Sequence, residues 1–317
     1  MKNEMKTIDD RICRPGQAPG KPAALLGCLV LALTVPGTGL KAQVPDISKA
    51  ALLSWPEPTE EQIVVGATNL LTGAVWTPWP EPIFKRFGQM CMTVPTTASQ
   101  QYFKLAPGRQ FLDDFGNGWG PFTNRDSYMD FVKDPGEEWF VTNGALKLQS
   151  AYSGFLLVPL GTNAAAKHED FFTSADILDW VTSGTNWSLF SIAGRIVILS
   201  PTAGIGYGGG LALNADGIAG NVQLTIFHEW HQVWGPTFDM GTNPPPYRLE
   251  LSGVGNPICR LRLRVLSLTT KALIAEQTLL ATEITSGVPA IWVNKPIQAG
   301  DTLAITVDNY FVTGTKQ

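Results

Sequence analysis

One short run of the sequence, from Cys259 to Val265, alternates apolar and basic residues without a break. Successive side chains of a β-strand point to opposite faces, so this pattern predicts a strand with one buried face. Other strand patterns recur at 144–149, 170–180, 187–199, 210–213, 221–234, 247–252 and 303–312. No stretch has a strong 3.6-residue repeat. We therefore expect an all-β fold.

The composition agrees with short strands joined by turns. The 317 residues include 32 glycines and 23 prolines beside 10 tryptophans and 15 phenylalanines, and turn formers with many aromatic residues are typical of all-β chains. Charged residues make up only 16% of the chain and its net charge is −4. Because nucleic-acid binding needs a basic surface, no nucleic-acid partner is predicted.

Residues 1–42 have the order of a secretory signal peptide. Basic residues precede an apolar run from Pro22 to Val35, a Pro-Gly-Thr-Gly segment breaks it, and Ala42 offers a small residue before a cut. The run is shorter than the roughly 20 residues that a transmembrane helix needs. We expect a secreted or extracytoplasmic protein, at the cell surface or in the periplasm, without a transmembrane helix in the mature chain. The alternative is a disordered, partly apolar leader.

Residues 44–108 carry several short strand patterns in a fixed order. These segments are Ser54–Pro56, Ala67–Leu70, Trp76, Thr93–Pro95 and Gln100–Leu105. In this order and spacing they resemble a fibronectin type III-like module, which implies a small β-domain that serves as a spacer or in adhesion. The segment 106–108, Ala-Pro-Gly, is expected to link this unit to the next.

Residues 111–317 form the larger unit, for which nine or so strands predict a β-sandwich or jelly roll. Its distinctive segments are Asp113–Phe115, Trp119, Trp139, Asn143–Leu146, Ser174–Ile177, Ser191–Arg195, Tyr247–Leu251 and Thr306–Tyr310. In order and spacing they resemble the concanavalin A-like lectin/glucanase superfamily, which includes laminin G-like domains. The resemblance implies two antiparallel sheets, one of them concave. Members bind glycans or proteins on the concave face, and some are glycosidases.

The sequence lacks the Glu-x-Asp-x-x-Glu strand pattern of the glucanase branch. Glycoside hydrolysis needs two carboxylates that flank the scissile bond. Glu137 and Glu138 follow a proline, lie in or near a turn, and would point to opposite faces if extended. No catalytic residue is therefore predicted, and we expect a carbohydrate-binding or adhesion protein. A glycan-active hydrolase or lyase of the same fold and a structural cell-envelope component are the alternatives.

Four residues are candidate carbohydrate ligands. Asp176 and Trp180 share one parity on their strand, and Trp187 and Arg195 share one on the next. An aromatic ring can cover the C–H face of a sugar while charged groups bind its hydroxyls. If these faces form the concave side, the four residues bind a polysaccharide or other glycan there. The alternative is that the tryptophans belong to the core and that Asp176 and Arg195 form a structural pair.

Three aspartates near the ends of the larger unit are candidate metal ligands. Asp113 and Asp114 lie at its beginning and Asp308 near its end, and the first and last strands of such sandwiches often pair. Carboxylate oxygens there could hold a structural Ca²⁺, and no other cofactor is expected. The alternative is that these carboxylates make turn and edge hydrogen bonds.

Two histidines invite a zinc interpretation that their spacing disfavours. His228 and His231 are three apart in a strand pattern, so their side chains point to opposite faces. The zincin motif instead needs two histidines four apart on a helix.

The glycine-rich segment 204–210 is not followed by a helix pattern, so we expect a loop between strands rather than a phosphate site.

Arg260, Arg262 and Arg264 occupy the exposed face of the alternating strand. They either form a solvated face with cross-strand partners such as Glu250 or form a positive patch for an acidic glycan.

Cys91 and Cys259 lie far apart in different units, and we expect two buried thiols rather than a disulfide.

Overall fold

The computed structural model describes residues 50–56, 61–86, 89–95, 101–113, 115, 129–131, 138–150, 155–158, 167–183, 188–200, 203–213, 219–226, 231–294 and 302–316. These residues form strands and turns and contain no helix that is long and apolar enough to cross a membrane. The predicted signal peptide lies outside them. In chain order the strands are β1 (Ala50–Pro56), β2 (Gln62–Ala67), β3 (Thr77–Pro78), β4 (Phe84–Arg86), β5 (Gln89–Pro95), β6 (Tyr102–Asp113), β7 (Met129–Phe131), β8 (Glu138–Thr142), β9 (Ala145–Ser150), β10 (Phe155–Val158), β11 (Phe171–Ser183), β12 (Ser188–Ser200), β13 (Ala203–Leu213), β14 (Ala219–Ile226), β15 (His231–Asp239), β16 (Tyr247–Val254), β17 (Cys259–Ser267), β18 (Leu273–Ala281), β19 (Val288–Asn294) and β20 (Thr302–Thr315).

The main body of the protein is a sandwich of two antiparallel sheets. The seven-stranded sheet has the order β15-β14-β13-β12-β19-β10-β7. The ten-stranded sheet has the order β18-β17-β16-β11-β20-β6-β2-β3, with β9 paired to β20 and β8 to β9. The predicted all-β sandwich class is confirmed. The hairpin between β8 and β9 turns at Asn143 and Gly144, both of which have positive φ, as a tight two-residue hairpin requires.

The alternating run from Cys259 to Val265 lies in β17, and its pattern sets the core. Cys259, Leu261, Leu263 and Val265 are fully buried, whereas Arg260 between them is exposed. Their neighbours on β16 and the facing strands of the seven-stranded sheet complete one continuous hydrophobic core. Burial of such apolar area is the main favourable term in folding, at about 25 cal/mol per Å².

A second, smaller core lies in the N-terminal part of the described chain. It packs the three-stranded sheet, in the order β1-β5-β4, against β2, β3 and β6. Trp55, Val64 and Met92 are buried at its centre, and Trp79 contacts Phe103 edge to face at 4.8 Å. The fibronectin type III-like assignment of residues 44–108 and the division of the chain at 108–111 stay predictions.

The segment 106–108 was predicted as a linker, and this prediction is wrong. It lies inside β6, a single strand of 12 residues. The first half of β6 pairs with β2, and the second half, from Gly108 to Asp113, pairs with β20. One strand therefore belongs to both cores, and the ten-stranded sheet runs without a break from one to the other.

The glycine-rich segment 204–210 is also not a loop, since it forms most of β13 between β12 and β14. Glycine is needed here because neighbouring groups come close. A Cβ on Gly210 would overlap the Phe190 carbonyl of β12, and a Cβ on Gly209 would lie 2.9 Å from the Leu251 side chain. The glycines have no side chains, so they show no strand pattern in the sequence. The same lack of side chains allows β13 to pack closely against its neighbours.

The pattern at 221–234 was predicted as one strand but forms β14 and the start of β15. Cys91 and Cys259 are buried and free, which confirms two thiols. His228 lies outside the described residues, whereas His231 opens β15.

One buried histidine lies where the two sheets meet. His168 exchanges backbone hydrogen bonds with Gly287, next to β19, and the following residue, Glu169, bonds to the end of β20. The residue is 1% exposed, and neither ring nitrogen has a hydrogen-bond partner. Burial lowers the pKa of His168 to about 4, with smaller contributions from the charges of Arg109 and Lys316.

Candidate functional site

Asp176 lies on the outer face of the ten-stranded sheet and is held by an arginine. Its neighbours Ala175 and Ile177 are fully buried in the core, so its own side chain points the other way. Arg248, directly opposite on β16, donates from Nε to Oδ1 at 2.6 Å and from Nη2 to Oδ2 at 3.0 Å. The amide of Asn309 donates to Oδ2 at 3.0 Å. The carboxylate, 4% exposed, is therefore bound by its own protein.

The charge of Arg248 is secured by the same contacts. Desolvation lowers the pKa of Arg248, but the hydrogen bond and charge of Asp176, with smaller contributions from Glu250 and Glu81, outweigh it and raise the pKa overall. Desolvation also raises the pKa of Glu81, against the opposing effect of Arg248.

The arginine row on β17 is likewise paired. Arg264 donates from Nη1 to Glu250 at 2.9 Å, and Arg262 donates from Nη2 to Glu276 at 2.7 Å. This agrees with a face that has cross-strand partners, including the expected Glu250. We call the outer face that carries Asp176, Arg248, Glu250, Arg264 and Glu276 the charged face.

Trp180 does not lie on the charged face with Asp176, contrary to the parity argument. The register of β11 against β20 shifts between Ile177 and Asp179. Because of this bulge, Trp180 lies opposite Ile305 and packs against the main core, whereas Asp176 lies opposite Asp308. One extra residue in the strand thus sends the two side chains to opposite sides of the sheet.

Arg195 is fully buried and makes no contact with Asp176, so neither the shared site nor the structural pair of these two residues is formed. Its guanidinium donates to the backbone carbonyls of Glu169 at 2.6 Å, Ile284 at 2.8 Å and Gly255 at 2.8 Å. Asp170 lies 3.7 Å from Nη2. Trp187, the fourth predicted sugar ligand, lies outside the described residues. The predicted quartet therefore does not form one face.

The predicted metal ligands lie on adjacent strands, as expected from pairing of the first and last strands of the larger unit. Asp113 on β6 is next to β20, which carries Asp308. Oδ1 of Asp113 accepts from the Phe115 N–H at 2.7 Å, and Oδ1 of Asp308 accepts from the Asn309 N–H at 2.7 Å. Asp114 lies outside the described residues, and within the described ranges no three His, Cys, Asp or Glu residues gather as a metal site. The calcium site stays a prediction.

The outer face of the seven-stranded sheet contrasts with the charged face. A Cβ on Gly209 would contact Leu251 and Leu263 of the other sheet, so Gly208 and Gly210 point away from the sandwich. Cross-strand register extends this orientation into a row across β15, β14, β13, β12 and β19. The members of this central row are Trp234, Gln223, Gly210, Ser191 and Trp292.

Two further rows flank the central one, and none of their described side chains is charged. One row consists of Thr225, Gly208, Ala193 and Ala290, and the other of Thr237, Asn221, Ala212 and Leu189. We call these three rows the uncharged face. Trp234 and Thr237 are exposed and Asn221 is half-buried, whereas the other members are buried. The strands that pack across β13 and β14 from the other sheet, namely β16, β17 and β18, do so on the core side.

Buried polar atoms on the uncharged face have no partner within the protein. Gln223 and Thr225 are each 1% exposed and Ser191 is fully buried. Both amide atoms of Gln223, the hydroxyls of Ser191 and Thr225 and the amide oxygen of Asn221 make no hydrogen bond. A buried polar group without a partner costs about 1–3 kcal/mol, so these groups destabilise the protein unless a ligand or water reaches them.

Tryptophans lie at both ends of the central row. Trp234 on β15 is 49% exposed, whereas Trp292 on β19 is 7% exposed. Four strand spacings separate them, about 19 Å at the usual spacing. The row therefore begins at a half-exposed aromatic ring, continues over amide and hydroxyl groups, and ends at a buried aromatic ring.

This face could not be identified from the sequence. Gln223 and Trp234 fell within one predicted strand, and Gly210 and Ser191 were assigned to separate elements without a register between them. The only available signal was local, namely polar residues that alternate with Val222 and Leu224 in a chain poor in charge.

No protein-family model matches the chain, and no curated protein matches it. Among solved structures it is similar to the Ca²⁺-bound exoplasmic/lumenal domain of VIP36, with 9% identity over 66% of this chain and 90% of that chain and a TM-score of 0.44. It is also similar to arcelin-5, a lectin-like defence protein from Phaseolus vulgaris, with 7% identity over 67% and 100% of the two chains and a TM-score of 0.40. The GlcNAcα1-4Gal-releasing endo-β-galactosidase from Clostridium perfringens matches with 11% identity over 66% and 62% and a TM-score of 0.40. The fold described above rests on the strand order and pairing of this chain.

Proposed function

We propose that this chain is an exported carbohydrate-binding or adhesion protein whose glycan lies on the uncharged face. One observation carries the proposal: a row of buried, unpartnered amide and hydroxyl groups lies between Trp234 and Trp292. Sugars present many hydroxyl groups together with apolar C–H faces. Amide and hydroxyl side chains satisfy the hydroxyls, and indole rings cover the C–H faces.

The proposal favours binding over cleavage because of what the uncharged face carries. Hydrolysis of a glycosidic bond by the usual route needs two carboxylates beside the bond, and the described side chains of the three rows include none. The charged face does carry carboxylates, but Asp176, Glu250 and Glu276 each bind an arginine of the same sheet.

The test is a glycan array followed by titration with the glycans that bind, using the purified protein and three variants. We expect Gln223→Leu and Ser191→Ala each to weaken binding by about ten- to hundredfold, since each removes groups that bind the sugar. Arg262→Gln, on the other sheet, serves as the matched control and should leave affinity unchanged, because its pair with Glu276 is exposed. Absence of any glycan binding by the unmutated protein, or loss in Arg262→Gln alone, would contradict the proposal.

A further inference from the structure

We propose that the loop between β2 and β3 inserts into the surface of a phospholipid bilayer and holds the protein against it. We call this loop, residues 68–76, the apolar loop. It joins two strands of the smaller N-terminal core, so its role is independent of the proposed glycan site. Three features support this role: the exposure of its aliphatic side chains, the absence of charge around them, and an indole ring with a lysine at its base.

The apolar loop carries the two most exposed large hydrophobic residues in the described part of the chain. Leu71 is 75% exposed and Val75 is 65% exposed, and Leu70 beside them is 62% exposed. Single exposed apolar residues are common on protein surfaces, but three within six residues form a local cluster that needs an explanation. Because so much of each side chain is open to solvent, the three project from a tip and do not line a groove.

The shape of this tip is fixed by local hydrogen bonds. The Leu71 N–H donates to Oδ1 of Asn69 at 3.2 Å, and the Ala74 N–H donates to the Leu71 carbonyl at 2.9 Å. Gly73 between them has a φ of 88°, which glycine adopts without strain. Pairing of β2 with β3 holds the two ends of the loop together. The aliphatic side chains are therefore presented before any contact forms, which reduces the entropy lost on binding.

The polarity of the loop and its surroundings matches the edge of a bilayer. Residues 62–80 contain no acidic residue, no basic residue and no histidine, and transfer of a charged side chain into hydrocarbon is strongly unfavourable. At the base of the loop, Nζ of Lys104 lies 4.3 Å from the centroid of the Trp76 ring. Indole rings favour the headgroup region of a bilayer, and a lysine there can keep its ammonium group among the lipid phosphates.

A bilayer fits this tip better than a protein partner does. Stable protein interfaces bury roughly 800 Å² on each side and are anchored mostly by tryptophan, tyrosine and arginine. Two leucines and a valine on one turn cover only a small part of that area. A fluid lipid surface needs no complementary shape, and its attraction for the loop grows with the apolar area that enters it.

The test is partition of the purified full-length protein onto vesicles of phosphatidylcholine, alone or mixed with phosphatidylglycerol, in a flotation assay. The double variant Leu70→Ser/Leu71→Ser should lower the partition coefficient about a hundredfold, since each leucine contributes about tenfold. Leu280→Ser is the matched control, because Leu280 is also 62% exposed but lies on β18, and it should leave partition unchanged. All three side chains are exposed, so the thermal unfolding midpoint should not change in either variant.

Two further measurements locate the contact. Vesicles should protect the backbone amides of residues 68–76 from hydrogen exchange and leave those of β18 unprotected. Lys104→Gln should weaken binding to the vesicles that contain phosphatidylglycerol by about fivefold, because one lysine near an anionic surface contributes that much. The same variant should bind vesicles of phosphatidylcholine alone as the unmutated protein does.

Three results would overturn the membrane role of the apolar loop. One is partition that the double variant does not reduce, or that it reduces no more than Leu280→Ser does. Another is the absence of vesicle-induced protection in residues 68–76. The third is a protein that does not bind vesicles but self-associates in sedimentation velocity and becomes monomeric in the double variant, since the tip would then contact a second copy of the chain. None of these results bears on glycan binding.

Discussion

The outer faces of the two sheets differ in whether their polar side chains have partners within the protein. On the charged face Asp176, Glu250 and Glu276 each meet an arginine, at 2.6, 2.9 and 2.7 Å respectively. On the uncharged face the amide of Gln223 and the hydroxyls of Ser191 and Thr225 are buried without partners. Groups that are satisfied internally stabilise the fold, whereas buried groups without partners destabilise it. The conspicuous charges are therefore structural, and the unpartnered groups are the ones that the proposed function uses.

The largest predicted effect is a loss of stability in acid caused by His168. This residue lies where the two sheets meet, so its protonation should destabilise both of them together. Its neutral ring is favoured in the folded chain, so below pH 6.5 the unfolded chain takes up the proton first. The stabilisation is complete above pH 6.5 and is lost as the pH falls from 6.5 to about 4. The loss should reach about 3 kcal/mol. The measurement is the free energy of unfolding in urea at several pH values.

The control for this prediction is His168→Leu, which keeps the site apolar. The difference between the unfolding free energies of the two proteins should change over the same pH range, because other acid-sensitive groups are common to both. An identical acid response of the two proteins would refute the assignment to His168.

The second prediction breaks the charged face. Arg248→Met removes the two hydrogen bonds that the guanidinium donates to the Asp176 carboxylate, which is 4% exposed. The free energy of unfolding should fall by about 2 kcal/mol. This is less than for a fully buried pair because Arg248 is partly exposed. Arg262→Gln is the matched control, and should cost under about 0.5 kcal/mol because its pair with Glu276 is exposed. Equal effects in thermal or urea unfolding would contradict the distinction.

The third prediction concerns the uncharged face and has the opposite sign. Gln223→Leu replaces an unpartnered amide by an apolar side chain of similar size, so without ligand the protein should become more stable by up to about 1 kcal/mol. Urea unfolding of the ligand-free variant measures this. A loss of more than about 1 kcal/mol would mean that the amide has a partner that stabilises the fold, and the contrast between the faces would fail.

The sequence predicts individual strands well and the arrangement between them poorly. The alternation in β17 predicts its buried and exposed sides because each residue's orientation follows from its neighbours. The position of Trp180 depends instead on a bulge in β11 that pairing with β20 imposes, and no local pattern reveals it. The central row depends on the register of five strands, so Gln223, Ser191 and Trp234 could not be brought together without the fold.

The position of β20 determines the stage of chain synthesis at which the ten-stranded sheet can close. This strand pairs with β11 along one edge and with both β9 and β6 along the other, so it lies in the middle of the ten-stranded sheet. A ribosome must complete residue 315 before that sheet can close. We therefore expect the growing chain to remain incompletely folded throughout its synthesis, and closure of the sandwich to be a slow, late step dominated by contacts between distant residues.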